Sequence, residues 1–220
     1  MTIFLDFDGP LVDNFPRHTQ LFVDLAQKFS FQPIDLHEYW QLKRQRVSEA
    51  EILKKCKDFD LKCFSEYMQQ RQSLIETQQY LKLNALIPKT ETNIEILKKA
   101  GRLVLLTTRN HIENLHWEIK DKKIDHCFDQ ILCGGSDKES SAETKVKLIN
   151  SSGIKLNAGD FIIGDTEAEI ICGKALNLIT ISTANGIRTK EYLESLNPKI
   201  IMPDLENFVK TFGPGFTYTK

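Results

Sequence analysis

A chain of 220 residues exceeds the commonest single-domain size, so one domain with a sizeable insertion and two small domains are both open. With 41% hydrophobic residues, 27% charged residues and a formal net charge of -1, it has the composition of a soluble globular protein and no global affinity for polyanions. Nucleic acid is therefore not an expected partner.

In chain order, Met1-Thr2-Ile3-Phe4-Leu5 runs directly into the acidic Asp6 and Asp8, where a secretory leader would need a basic start and a longer apolar region. Ile3 to Phe7 reads as a short buried strand feeding an Asp/Gly/Pro turn. From about Asn14 to Ile87 the pattern changes: Leu21, Phe22, Leu25 and Phe29 form a helical stripe, and Ser48 to Leu83 is rich in Gln, Lys and Glu without a convincing strand. This stretch reads as a helical insertion, residues 14–87, with hinges near Asp13 and Pro88.

Three further apolar runs follow, each ending in polar residues. Leu103 to Leu106 ends at Thr107-Thr108-Arg109-Asn110, Phe161 to Ile163 at Gly164-Asp165-Thr166, and Leu178 to Ile181 at Ser182-Thr183. Amphipathic stretches precede them, such as Ile94, Leu97 and Ala100, and Ala168, Ile171, Cys172 and Ala175. Alternating strand and helix predicts an α/β core, residues 1–13 and 88–220, with a Rossmann-like parallel sheet and helices on both faces; ligands bind beyond the carboxyl ends of such strands. The five cysteines show no CxxC pair and no zinc-like spacing, which suits a reduced, cytoplasmic compartment. No stretch reaches the roughly 20 apolar residues of a membrane-spanning helix.

Asp6-Phe7-Asp8-Gly9 puts two carboxylates two residues apart, which an extended backbone would point to one side. Two anions so close need a cation, and hard oxygen donors suit Mg²⁺, which keeps waters and takes one or two carboxylates plus a substrate phosphate. Gly9 permits a close approach that a side chain would hinder. A plain Asp/Gly turn is the competing reading of these four residues.

With those residues on the page, the chain resembles the haloacid dehalogenase (HAD) superfamily over nearly its whole length. The first motif corresponds to Asp6, Asp8, Gly9, Leu11 and Val12; the second, a strand ending in Thr or Ser, to Leu103 through Thr107; the third, a Lys before an apolar helix, to Lys145, with Lys147 as the competing match; the fourth to Gly164, Asp165 and Glu169. The resemblance implies that Asp6 attacks phosphorus to form an aspartyl-phosphate. It implies that Asp8 acts as acid and base, and that Thr107 and Lys145 bind the phosphoryl oxygens. It also implies that Mg²⁺ is held by the Asp6 carboxylate, the Asp8 backbone carbonyl and Asp165, with Glu169 as a further anchor. Pro10 and Glu169 stand where the family usually has Thr and Asp.

The insertion resembles the family's helical cap, which closes over the site and reads the leaving group. His18 is its foremost candidate, ahead of Arg17, Trp40, Lys43, Arg44 and Arg46; Gly9, Thr108 and Arg109 are further substrate-binding candidates, Arg109 because a guanidinium there could meet a phosphate or carboxylate. The expected activity is phosphomonoester hydrolysis of a small phosphorylated metabolite, in the manner of phosphoglycolate phosphatases, by a monomer or homodimer. A phosphosugar mutase built on the same motifs and a catalytically silent phosphate-binding protein are the alternatives.

Overall fold

The computed structural model describes residues 1–135 and 138–213. The chain runs β1 (Thr2–Leu5), β2 (Val12–Asp13), α1 (Phe15–Lys28), α2 (Leu36–Arg44), α3 (Glu49–Lys54), α4 (Phe64–Leu74), α5 (Gln78–Leu81) and β3 (Ala85–Leu86). It continues with α6 (Thr90–Ala100), β4 (Arg102–Thr107), α7 (Ile112–Asp121), β5 (Gln130–Cys133), α8 (Ser141–Ser151), β6 (Phe161–Gly164), α9 (Glu167–Ala175), β7 (Ile179–Thr183), α10 (Lys190–Ser195), β8 (Ile200–Met202) and α11 (Leu205–Phe212). Two compact units result, one of Met1–Asp13 with Leu86–Lys220 and one of Asn14–Ala85. The second boundary falls before the Pro88 of the sequence reading, because Ala85–Leu86 already forms a strand and the Ile87 amide donates to Leu11 O at 2.9 Å.

Six strands of the first unit form a parallel sheet in the order β5-β4-β1-β6-β7-β8. β1 is central, with Ile3 opposite Leu103 on one side and Phe161 on the other. Alternate residues face opposite sides, as the two-residue period demands. Ile3, Leu5, Leu103, Leu105, Phe161 and Ile163 meet Ile94 and Leu97 of α6, Leu115 and Ile119 of α7, and Phe208 of α11. Phe4, Val104, Leu106 and Ile162 meet Ile149 of α8 and Cys172 of α9. Burial on both faces explains why these strands read as unbroken apolar runs. Phe4 is wholly buried at the middle of the middle strand, so Phe4→Ala is expected to cost about 3–5 kcal/mol in urea unfolding.

The edge strands β5 and β8 are absent from the sequence reading because most of their residues are only half-buried and give no continuous apolar signal. In α9 the reading is corrected: Ile171 is 50% exposed, while Ala168, Glu169, Ile170, Cys172 and Gly173 face inward. The helix lies so close to the sheet at Gly173 that a Cβ there would meet Thr180 Cγ2 at 2.3 Å and Ile162 Cγ2 at 2.6 Å. That close approach, with Glu169 drawn inward, turns Ile171 outward.

The helical unit has its own core of Leu21, Phe22, Leu25, Tyr39, Ile52, Leu53 and Tyr67, with Phe22 and Tyr39 stacked at 4.0 Å. No helix among the described residues is long and apolar enough to cross a membrane.

Candidate active site

The parallel sheet delivers its polar residues to one edge. The Asp6 amide extends the β1 ladder by one bond, donating to Ile163 O at 2.9 Å, so Asp6 lies immediately beyond β1. Thr107 ends β4 and is buried, and Asp165 follows the last residue of β6. Lys145 is carried on the second turn of α8, whose start is closed by a capping box of Ser140 and Glu143.

Asp6, Asp165 and Glu169 are all buried, and carboxylate oxygens of the three lie within 4.8 Å of one another. Lys145, 2% exposed, is 3.0 Å from Asp6 Oδ1, donates to Leu106 O at 3.2 Å and is ion-paired with Glu169 Oε1. Asp6 Oδ1 also accepts from the Phe7 amide at 2.9 Å, whereas Oδ2 accepts from none of the described residues. Asp165 Oδ2 accepts from the Ile187 amide at 2.5 Å, and its buried Oδ1 has no hydrogen-bond partner among the described residues. Lys147, the competing lysine, is on the solvent side, its side chain 69% exposed and paired with Glu139.

Three carboxylates and one ammonium leave a formal charge of -2 in a buried space. Burial pushes the Asp6 carboxyl up to about 7 against the pull of Lys145, with Glu169 and Asp8 adding to the rise. Asp165 is raised well above the ordinary range by burial and then by Asp6 and Glu169. One divalent cation would cancel the charge and satisfy the orphaned Asp165 oxygen. The donor set is wholly hard oxygen, so these residues fit Mg²⁺.

Glu169 meets that expectation only in part. Its Oε2 accepts from the Thr166 amide at 3.1 Å and the Thr166 hydroxyl at 2.7 Å, closing the capping box of α9, while Oε1 serves Lys145. The longer glutamate arm thus reaches a helix start and the lysine, and anchors the site through them.

Asp8 lies outside the acidic cluster. Its two carboxylate oxygens accept from Arg109 Nε at 2.8 Å and Nη2 at 2.9 Å, a bidentate pair. Arg109 Nη1 donates to Glu118 Oε2 at 2.6 Å, and the guanidinium lies 5.1 Å from the centre of the Phe7 ring. Arg109, a substrate-binding candidate in the sequence, is placed with its side chain 4% exposed and both edges of its fork on carboxylates. Burial opposes its charge, but Asp8 and Glu118 more than offset that and hold it above its ordinary value. Glu118 was missed. Its signal was a charged residue inside the Leu115–Ile119 stripe of α7, where only apolar side chains are expected.

The turn after β1 is built around Gly9, whose φ of +96° suits glycine alone and whose Cβ would stand 2.2 Å from the Asp165 carboxylate. Pro10 leaves no orphaned donor, because the Leu11 and Val12 amides both return to Phe7 O at 3.2 and 3.3 Å. Gly186, in the loop after β7, approaches the same carboxylate from another element, and a Cβ there would meet Asp165 Oδ2 at 1.9 Å. Arg188 fixes that loop through Glu167, at 2.7 and 3.2 Å. Thr108 is half-buried beside Thr107.

His18 belongs to the helical unit, where it is buried with Nδ1 3.2 Å from Arg71 Nη2 and its ring 5.7 Å from that of Trp40. Arg71, not singled out from the sequence, also lies 3.6 Å from Glu49, a carboxylate bonded to Lys43 at 2.9 Å and to the Tyr67 hydroxyl at 3.2 Å. Arg17 is buried, Arg44 half-buried and Arg46 exposed.

The family model described as haloacid dehalogenase-like hydrolase matches residues 3–183. No curated protein matches. Among solved structures, a haloacid dehalogenase-like family hydrolase from Streptococcus pneumoniae is similar at 18% identity and TM-score 0.78, over 96% of this chain and 98% of that one. A predicted phosphatase from Clostridium acetobutylicum is similar at 20% identity and TM-score 0.76, over 96% of each chain. A predicted phosphoglycolate phosphatase from Haemophilus somnus is similar at 16% identity and TM-score 0.74, over 96% of this chain and 97% of that one. At these identities the likeness is one of fold.

Proposed function

The chain belongs to the haloacid dehalogenase-like hydrolases, and from that premise we propose that it is a Mg²⁺-dependent phosphomonoesterase of a small phosphorylated metabolite, with Asp6 as nucleophile. The observation that carries this reading is the Asp6 carboxylate itself. One oxygen is held by Lys145 and a backbone amide, the other is uncommitted, and Asp165 and Glu169 stand beside it.

In this reading Asp6 Oδ2 attacks phosphorus as the ester P–O bond breaks, and the bonding pair leaves with the ester oxygen. Asp8 gives that oxygen its proton, and later takes one from the water that hydrolyses the aspartyl-phosphate. Lys145 and the Thr107 hydroxyl bind phosphoryl oxygens, supplying the positioning and charge that phosphoryl transfer mainly requires. Mg²⁺, held by the Asp6 and Asp165 carboxylates and the Asp8 carbonyl, would neutralise charge on the transferring group. The helical unit is proposed to act as the cap, with His18 among the groups that read the leaving portion.

The test is phosphate release from a panel of sugar and carboxylic-acid phosphates, with Mg²⁺ and with chelator. Release that requires the metal supports the reading. Isomer formation without net release would mark a mutase, and tight binding without turnover a silent receptor. A second expectation concerns the metal alone: saturation at about 100 times Kd stabilises by about 2.7 kcal/mol, or roughly 5–10 °C in midpoint for a chain of this size. Asp165→Asn should abolish that shift yet raise the metal-free midpoint, since it takes one charge from a buried, mutually repelling trio. An undiminished Mg²⁺ shift in the variant would refute the assignment of Asp165.

A further inference from the structure

We infer that Arg109 is the positioning residue of Asp8, fixing its carboxylate through a bidentate grip that is anchored from behind by the fully buried Glu118. This rests on the phosphomonoesterase reading and adds to it the group that orients the proton donor. Three observations carry it. The fork takes both Asp8 oxygens, at 2.8 and 2.9 Å, which sets the plane of the carboxylate as a single bond could not. The third guanidinium nitrogen is bonded at 2.6 Å to Glu118, whose side chain is 0% exposed, so the fork cannot swing without stranding a buried charge. Lys122, at the C-cap of α7, stands 3.7 Å from Glu118, so charges alternate from Asp8 to the end of that helix.

The chemistry of the first step gives the grip its use. As Asp6 forms its bond to phosphorus and the ester P–O bond breaks, the proton moves from Asp8 to the departing oxygen and negative charge grows on Asp8. The fixed guanidinium holds the carboxyl in one plane through that transfer, so its orientation is settled before the proton moves. Arg109 thus acts on the leaving group through Asp8, and the residue type matters: a lysine supplies charge without the fork.

The experiment compares two esters of similar form in the full-length protein with Mg²⁺: phenyl phosphate, whose leaving oxygen needs a proton, and 2,4-dinitrophenyl phosphate, whose phenolate departs without one. The readout is the ratio of their kcat/KM values, which reports transfer to the enzyme. Arg109→Met is expected to lower the phenyl-to-dinitrophenyl ratio about 10²-fold, the lower end of what a positioned acid contributes. Arg109→Lys should recover little of it, and the inhibition constant of inorganic phosphate should hold. Should Arg109→Met fail to fold, Glu118→Gln, which keeps size and an acceptor oxygen, is expected to move the same ratio in the same direction by roughly 10-fold. Equal losses on both esters, or weakened phosphate inhibition, would overturn the inference while leaving the enzyme a phosphatase. Absence of Mg²⁺-dependent turnover of either ester by the unaltered protein would remove the functional reading and this inference together.

Discussion

Asp6→Asn is expected to lower hydrolysis of an aryl phosphate by on the order of 10⁵-fold or more, the scale reached when a covalent nucleophile is removed. The substitution is isosteric, and the amide oxygen can still accept the Phe7 N–H that Asp6 Oδ1 accepts at 2.9 Å. What disappears is the anion. Burial already holds this carboxyl up to about 7, so deleting its charge relieves the acidic cluster and the fold should be no less stable. Circular dichroism and the thermal midpoint check that half of the expectation. Turnover near that of the unaltered protein would end the case for Asp6 as nucleophile.

Lys145→Met should strike both stability and turnover. The ammonium is 2% exposed and is the cation between Asp6 and Glu169, so its loss leaves buried carboxylates facing one another. Removing one partner from a buried pair typically costs about 3–5 kcal/mol, because the charge left behind is uncompensated. Urea unfolding without metal measures this, and phosphate release with saturating Mg²⁺ measures the separate loss at the transferring group. Lys147→Met is the control, since that side chain is 69% exposed and its pairing with Glu139 is at the surface, where ion pairs contribute little. If the Lys147 variant were the weaker of the two in both assays, the placement of Lys145 at the centre of the site would be wrong.

The parts of the site that were legible in the sequence share one property: each marks a local transition. Asp6, Thr107 and Asp165 stand where an apolar run gives way to polar residues, a pattern set by burial of a parallel strand on both faces. Lys145 needed the family resemblance as well, because a lysine on an amphipathic helix does not announce which way it points. The Arg109 pairing was not legible, since it joins residues 101 apart and depends on how the loop after β4 turns back over Phe7. The inward face of α9 was misread for a related reason. Periodicity assumes that apolar residues choose the buried side, but here Glu169 and Gly173 chose it, one through its partner and one through its lack of a side chain. In the helical unit, Arg71 was hidden among Gln, Lys and Glu residues whose pattern resembles a solvated face.

The central place of β1 sets a timetable for the molecule. The strand that leads into Asp6 precedes both of its neighbours in the chain by a long stretch, since these span Arg102–Thr107 and Phe161–Gly164. Until Lys145 and Asp165 have been added, a growing chain therefore carries Asp6 with neither the lysine that pairs with it nor the second acid that stands beside it. Such distant pairings are slow to close. Chemical competence should accordingly arrive as a single late event in refolding, together with the docking of β6, and no amino-terminal fragment short of that strand should acquire a partial form of it.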